Sequence, residues 1–242
     1  GRGSPLARAL STRGACARAE ARRRILAGEV LLGGIPCRDP LRPVTPDAAL
    51  TLAGRAVPRA APERVVLALH KPRGVVTTAR DPEGRPTVFD LLPPGGPRLL
   101  AVGRLDKASR GLLLLTSDGT LADRLTDPAR HVPKTYHAKV DRPLDDAAIK
   151  RLSLGVRLND GARTRPCRVR LLRESPRSCW IELVLTEGRN RQVRRMVEAV
   201  GARVTDLVRV AIGRLPLGTL KPGEIRWLAG ADLALLDIIP AP

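Results

Sequence analysis

Residues 103–119 read GRLDKASRGLLLLTSDG and place one carboxylate, Asp106, among Arg104, Lys107 and Arg110. A carboxylate kept ionised by neighbouring cations can accept a proton or attack an electron-poor carbon. The same residue types suit a solvated turn in which Asp bonds its own backbone, so spacing alone leaves both readings open. The apolar runs 99–102 and 112–115 on either side have the length and turn-bounded edges of buried strands. They put Asp106 in a tight connection between two core strands, where rigid flanks hold a reactive group in place.

Two other places carry residues of chemical interest. Tyr136, in the segment Lys134-Thr135-Tyr136-His137, is the single tyrosine of the chain. Alone on a strand it reads as core filler with its hydroxyl at the rim. Residues 187–196 read EGRNRQVRRM, in which Val193, Met196, Val197 and Val200 recur at helical spacing. That stripe leaves Arg191, Arg194, Arg195 and Glu198 on another face, with Gly201 as the stop. Four cysteines without a CxxC pair and three histidines without ligand spacing imply neither disulfides nor a metal site. Asp106 and Asp118 are flanked by Arg and Ser rather than by further acids, which argues against a metal-dependent nuclease.

Several elements must hold these residues. The chain of 242 residues has 43% hydrophobic content, enough for a real core, and its 43 Lys+Arg against 24 Asp+Glu give a net charge of +19. Such an excess favours a polyanionic partner: RNA, DNA or an anionic membrane surface. No apolar run reaches eighteen residues and the start lacks the build of a signal peptide, so a cytoplasmic protein is expected, neither membrane-spanning nor exported. The sequence opens on Gly1 rather than Met, which reads as a trimmed start or a remnant of added residues.

Residues 6–54 contain no Lys. Within them Ala17, Ala21, Ile25 and Leu26 mark an apolar helical stripe, with Arg18, Arg22 and Arg23 on another side and Gly28 as the stop. A hairpin with a two-residue turn at Gly33-Gly34 follows. Residues 55–63, RAVPRAAPE, read as a linker. Beyond it come a buried strand at 65–69, the turn His70-Lys71-Pro72-Arg73-Gly74, a helix over 144–154 and strands at 169–172 and 181–185. The pattern is α+β: a small N-terminal helix-hairpin domain with its linker over 1–60, and a domain over 61–242 built on a mixed, mainly antiparallel sheet with flanking helices.

The string GRLDKASRGLLLLTSDG resembles the signature of the pseudouridine synthases, in the branch that modifies ribosomal RNA and carries an S4 domain. Ser109 and Ser117 stand where that pattern has Thr and Asn. The Lys71-Pro72 turn, residues 81–90 and EGRNRQVRRM extend the likeness, and the wording of 81–90 is most similar to the large-subunit branch. The resemblance implies a cofactor-free isomerase that breaks the N-glycosidic bond of a flipped-out uridine and rejoins carbon five to the ribose. It makes Asp106 the catalytic carboxylate, Arg194 its pairing partner and Tyr136 the active-site tyrosine. Arg104, Lys71, Arg189, Asn190 and Arg191 would contact substrate or RNA, and Arg18, Arg22 and Arg23 would bind RNA from an S4-like unit. A monomer acting on ribosomal RNA or a pre-ribosomal particle is expected, with no cofactor, metal or membrane. The alternative is a catalytically silent S4-type ribosome-assembly factor. Two tryptophans, one tyrosine and one phenylalanine cannot build a base-stacking platform, so recognition would rest on RNA shape and phosphates.

Overall fold

A computed structural model describes residues 3–58 and 64–236. The chain forms two compact units. The first runs up to Val65 and takes in Pro97–Leu99 and Ser117–Gly119; the second holds Val66–Gly96, Leu100–Thr116 and the chain from Thr120 onward.

In the first unit, β1 (Ser4–Pro5) leads into α1 (Leu6–Thr12) and α2 (Arg18–Leu26). Strands β2 (Val30–Leu32), β3 (Ile35–Pro36), β4 (Pro43–Val44), β5 (Leu50–Leu52) and β6 (Arg55–Val57) follow. Leu6, Leu10, Ala21 and Ile25 of the helices close on Val30 and Leu50 as one core. Ala21 and Ile25, one turn apart, face inward, while Arg18, Arg22 and Arg23 are exposed. Leu26 is 56% exposed, because it lies about 100° around the helix from Ile25 and off the 17–21–25 line. Gly28, at φ 81°, ends α2 in the left-handed conformation that glycine adopts without strain. Strands β2 and β3 pair Leu32 with Ile35 across Gly33-Gly34. The sheet order is β3-β2-β5-β6. The expected linker is therefore shorter than 55–63: Arg55–Val57 is a strand, with Val57 opposite Leu50. Three residues with one buried side chain are too short to show a period. Residues 59–63 lie outside the described residues.

The second unit contains β7 (Val66–Lys71), β8 (Leu100–Val102), β9 (Arg110–Thr116), α3 (Gly119–Thr126) and β10 (Lys134–Val140). It continues with α4 (Asp146–Leu154), β11 (Arg168–Ser175), β12 (Ser178–Leu185), α5 (Gln192–Glu198) and β13 (Val204–Ile212). Strands β14 (Leu215–Pro216) and β15 (Ile225–Trp227) and helix α6 (Gly230–Ala234) complete the described part. Among the described residues these strands form one nine-stranded sheet in the order β11-β12-β10-β13-β9-β7-β15, with β8 beside β9 and β14 beside β13. Its pairs are antiparallel except β9 with β13, which run parallel. This is the α+β architecture with a mixed, mainly antiparallel sheet.

Strand β7 is buried along its whole length and β9 from Gly111 onward, which explains their unbroken apolar runs. Helices α4 and α5 pack on β10 and β12 around Leu152, Ile181, Met196 and Val197. Helix α3 packs on the other half of the sheet around Leu112, Leu114, Leu125 and Ile212. Gly111 sits where β9 meets β13, and a Cβ there would collide with the backbone of Arg209. Only glycine lets the two strands approach at that point.

Candidate active site

Asp106 lies in the connection from β8 to β9, and five consecutive carbonyls of that connection, from Leu105 to Ser109, accept hydrogen bonds. Thr77 Oγ1 donates to the Leu105 carbonyl at 2.9 Å and lies 3.3 Å from the Leu105 amide. Lys71 Nζ donates to the carbonyls of Asp106 (3.1 Å) and Ser109 (2.8 Å). The Gly74 amide donates to Lys107, and the Ser109 amide closes the turn onto Asp106, both at 2.9 Å. Arg194 Nη2 reaches the Ala108 carbonyl at 3.2 Å. The backbone is therefore fixed from one end of the turn to the other. The Asp106 side chain remains 31% exposed and faces Arg191 Nη1 at 3.9 Å, its one ion pair among the described residues.

Lys71, expected among the RNA contacts, does not face solvent: its side chain is completely buried at the end of β7. An ammonium group has three donors, and here all three meet carbonyls, the third being that of Pro72 at 3.0 Å. Burial lowers its pKa to about 8; Asp106 opposes the shift and Arg209 adds to it. At neutral pH Lys71 is thus still charged and holds the turn. Its place on an otherwise apolar strand was the available signal, but a terminal Lys on a strand reads as a surface group.

Arg194 also departs from expectation. It is buried beside Val193, Met196 and Val197 rather than on an outer face with Arg191 and Arg195. Its guanidinium bonds backbone carbonyls, Val204 at 2.9 Å and Ala108, and not the Asp106 carboxylate. Burial and Arg191 work against its charge, while Asp106 supports it. Arg191 is the nearer cation because it caps α5 in the left-handed region, φ 49°, at the exposed start of the helix. Arg195 turns away to Asn159 and Asp160.

Tyr136 lies on β10 between Leu183 of β12 and Arg209 of β13, and Arg209 is in turn opposite Gly111 of β9. It is half-buried against the core under α5. Arg209 is missing from the sequence-based candidates: it is buried, donates Nε to the Leu112 carbonyl at 2.7 Å, and stands between Tyr136 and the start of β9. Asp206 makes a second clamp, accepting from Arg110 (2.9 Å) and Arg73 (2.7 Å). Burial would raise its carboxyl pKa, but the two arginines outweigh that and hold it below the usual range. Arg104 and Asn190 are exposed. Arg189 is tied to Glu187 at 3.1 Å, and its amide to Gln192. Among the described residues no three His, Cys, Asp or Glu side chains converge as a metal site, and no helix is long and apolar enough to cross a membrane.

Residues 65–199, which hold the Asp106 turn, Tyr136 and Arg194, match the family described as RNA pseudouridylate synthase. The chain belongs to that family. This synthase-family chain is 46% identical over 181 residues to the ribosomal large subunit pseudouridine synthase B of Escherichia coli K12, covering 72% of the chain and 61% of the relative. It thus spans about three fifths of that relative's length. An uncharacterized RNA pseudouridine synthase of Rickettsia conorii is 35% identical over 224 residues, 91% of the chain and 94% of the relative. A crystal structure of a pseudouridylate synthase superposes with a TM-score of 0.69 at 26% identity, covering 96% of this chain and 99% of that one.

Proposed function

We propose that the chain converts a specific uridine of large-subunit ribosomal RNA to pseudouridine, with Asp106 as the catalytic carboxylate. The observation that carries this reading is the turn in which five successive carbonyls are bonded while the Asp106 carboxylate is left half-exposed. A fixed backbone presents the carboxylate at one position, and orientation of this kind accounts for a large part of enzymatic rate. Relatives named as large-subunit synthases support the choice of RNA.

Asp106 acts on the ribose of the target nucleotide, either at the anomeric carbon or by taking the neighbouring proton. The bond from the anomeric carbon to N1 breaks, carbon five takes N1's place, and the proton of carbon five is lost while N1 gains one. Arg191 faces the Asp106 carboxylate at 3.9 Å, Arg194 holds its turn, and Tyr136 contacts the base. The uridine is flipped out at a cost of a few kcal/mol, which phosphate contacts offset. Arg104, Arg189 and Asn190 supply contacts beside the carboxylate. Residues 1–60 serve as an S4-like RNA-binding unit through Arg18, Arg22 and Arg23, and residues 61–242 as the catalytic domain. The enzyme works as a cytoplasmic monomer on ribosomal RNA or a pre-ribosomal particle.

The test is tritium release from carbon-five-labelled uridine in a large-subunit rRNA transcript. Asp106→Asn removes the charge and keeps the shape, so release should fall by at least about a thousandfold with RNA affinity unchanged. Substantial release by folded Asp106→Asn protein would refute the assignment.

A further inference from the structure

A cleft of about 570 Å³ in the second unit is lined by Arg151, Arg157 and Arg163, with Gly155, Gly161 and Ala199 as its small residues. It lies between the last turn of α4, the segment 155–163 and the end of α5. We propose that this cleft docks the phosphate backbone of the RNA strand that flanks the target nucleotide. The inference rests on the reading of the chain as an rRNA synthase and adds a contact surface to it.

The cleft is built rather than incidental. Gly155, at φ 84°, turns the chain off α4 where a Cβ would collide with the Thr164 carbonyl. The segment then doubles back through a tight turn, with the Leu158 amide on the Ala162 carbonyl (2.8 Å) and the Asp160 carboxylate accepting from the Ala162 amide (3.1 Å). Two arginines are oriented by backbone. Arg157 Nε donates to the Gly161 carbonyl at 3.2 Å, and Arg151 Nη2 to the Ala199 carbonyl at 3.0 Å. Each keeps further N–H groups for a ligand, and part of the ordering cost of a long side chain is already met.

Charge decides what the cleft takes. Among the described residues Arg151, Arg157 and Arg163 form no ion pair, although Arg24, Arg85, Arg110 and Arg226 do. The acidic group of the turn, Asp160, is already engaged by Arg195 at 2.7 Å. Three forked guanidinium groups without a carboxylate partner fit successive phosphates, which they can bind through paired N–H donors. The cleft is also tied to the site. Arg195 links it to α5, and Arg189 Nη2 reaches the Arg163 carbonyl at 3.3 Å. RNA held here would lie against the elements that carry Arg191 and Arg194.

The experiment compares the full chain with the triple variant Arg151→Gln, Arg157→Gln, Arg163→Gln, using a large-subunit rRNA transcript as probe over a series of salt concentrations. The triple variant should bind about tenfold more weakly at low salt, and the slope of log affinity against log salt should fall by about two units, since each phosphate contact contributes ~0.7–0.9. Arg163→Gln alone, whose side chain makes no hydrogen bond or ion pair among the described residues, should lose about one unit with an unchanged melting curve. An unchanged slope in a folded triple variant would overturn the proposal. So would loss of uridine monophosphate binding with rRNA affinity intact, which would make the cleft a mononucleotide site. Tritium release separates the two readings: release by wild type with an unchanged slope removes the cleft alone, whereas no release by wild type removes the synthase reading and leaves the slope to judge the cleft.

Discussion

Helix α2 and the Asp106 turn are both surrounded by positive charge, and the cations do opposite jobs. On α2, Arg18, Arg22 and Arg23 are exposed, so water solvates them and the fold gains little from their presence. Around the turn, Lys71 and Arg194 are buried; all three Lys71 donors and both terminal nitrogens of Arg194 meet carbonyls of the chain itself, while Arg194 Nε has no partner among the described residues. Exposed cations are available to a partner. Buried ones have their hydrogen bonds taken internally, and what they contribute is the position of a neighbouring anionic group. A count of basic residues near a site therefore says nothing about how many of them touch RNA.

The contrast predicts a graded set of responses. Lys71→Met leaves the buried Ser109 carbonyl and the part-buried Pro72 carbonyl without this donor, which should cost about 2 kcal/mol of stability in denaturant titration. The slackened turn should slow tritium release by about a hundredfold or more, even in protein that remains folded. Retention of full activity would place the rigidity of the turn elsewhere.

Next in size is the difference between two arginines three residues apart. Arg194→Ala should lower stability by about 1–3 kcal/mol, because it strands the Ala108 and Val204 carbonyls. Arg191→Ala removes an exposed pair and should change stability by less than about 1 kcal/mol while reducing turnover. Equal melting temperatures for the two variants would contradict the buried-against-exposed distinction.

Alkaline pH probes the same lysine. Its folded pKa, about 8, lies below the ordinary value of 10.5, so between those limits the unfolded chain holds more protons and stability should rise with pH. Turnover should move the other way, since neutral Lys71 has one donor fewer for the turn. Lys134, also lowered to about 8 by burial and then by Arg209, contributes with the same sign. The wild-type curve minus that of Lys71→Met isolates the Lys71 share. The smallest effect on the fold belongs to α2: Arg18→Gln, Arg22→Gln and Arg23→Gln together should leave stability within about 0.5 kcal/mol. The salt slope of rRNA binding should still fall.

The same division governs how much could be read from residues alone. The strands flanking Asp106, the hairpin at Gly33-Gly34 and the helix ending at Gly155 were legible, because period, length and glycine placement are local signals. Leu26 was misplaced by counting it into a stripe one residue too far around. Lys71, Thr77 and Arg209 were misread or missed for another reason: their work is done on carbonyls that the sequence does not mark, from strands and a connection brought together only by the fold. Nothing local distinguishes a lysine that meets phosphate from one that meets three carbonyls. The departure of Arg194 from the Asp106 carboxylate is likewise a matter of which side of α5 the core takes.

The parallel contact between β9 and β13 has a consequence for how the chain folds. It matches only Arg110 with Val208 and Arg209 with Gly111, and the Arg209 guanidinium reaches Leu112 from 97 positions away. Most other pairings of the sheet close shorter loops, as β11 with β12 does directly. The exception is β15, whose Ile225 pairs with Leu69 of β7 across a longer loop than the seam; loop-closure entropy favours the shorter steps, so β7–β9 and β10–β14 should condense separately before they join along this short seam. Asp106 stands on one half, Tyr136 and Arg194 on the other. Before the seam closes, the chain would hold either the carboxylate or its companions in place but not both, so the proposed site would be completed in one step rather than accumulate along the way.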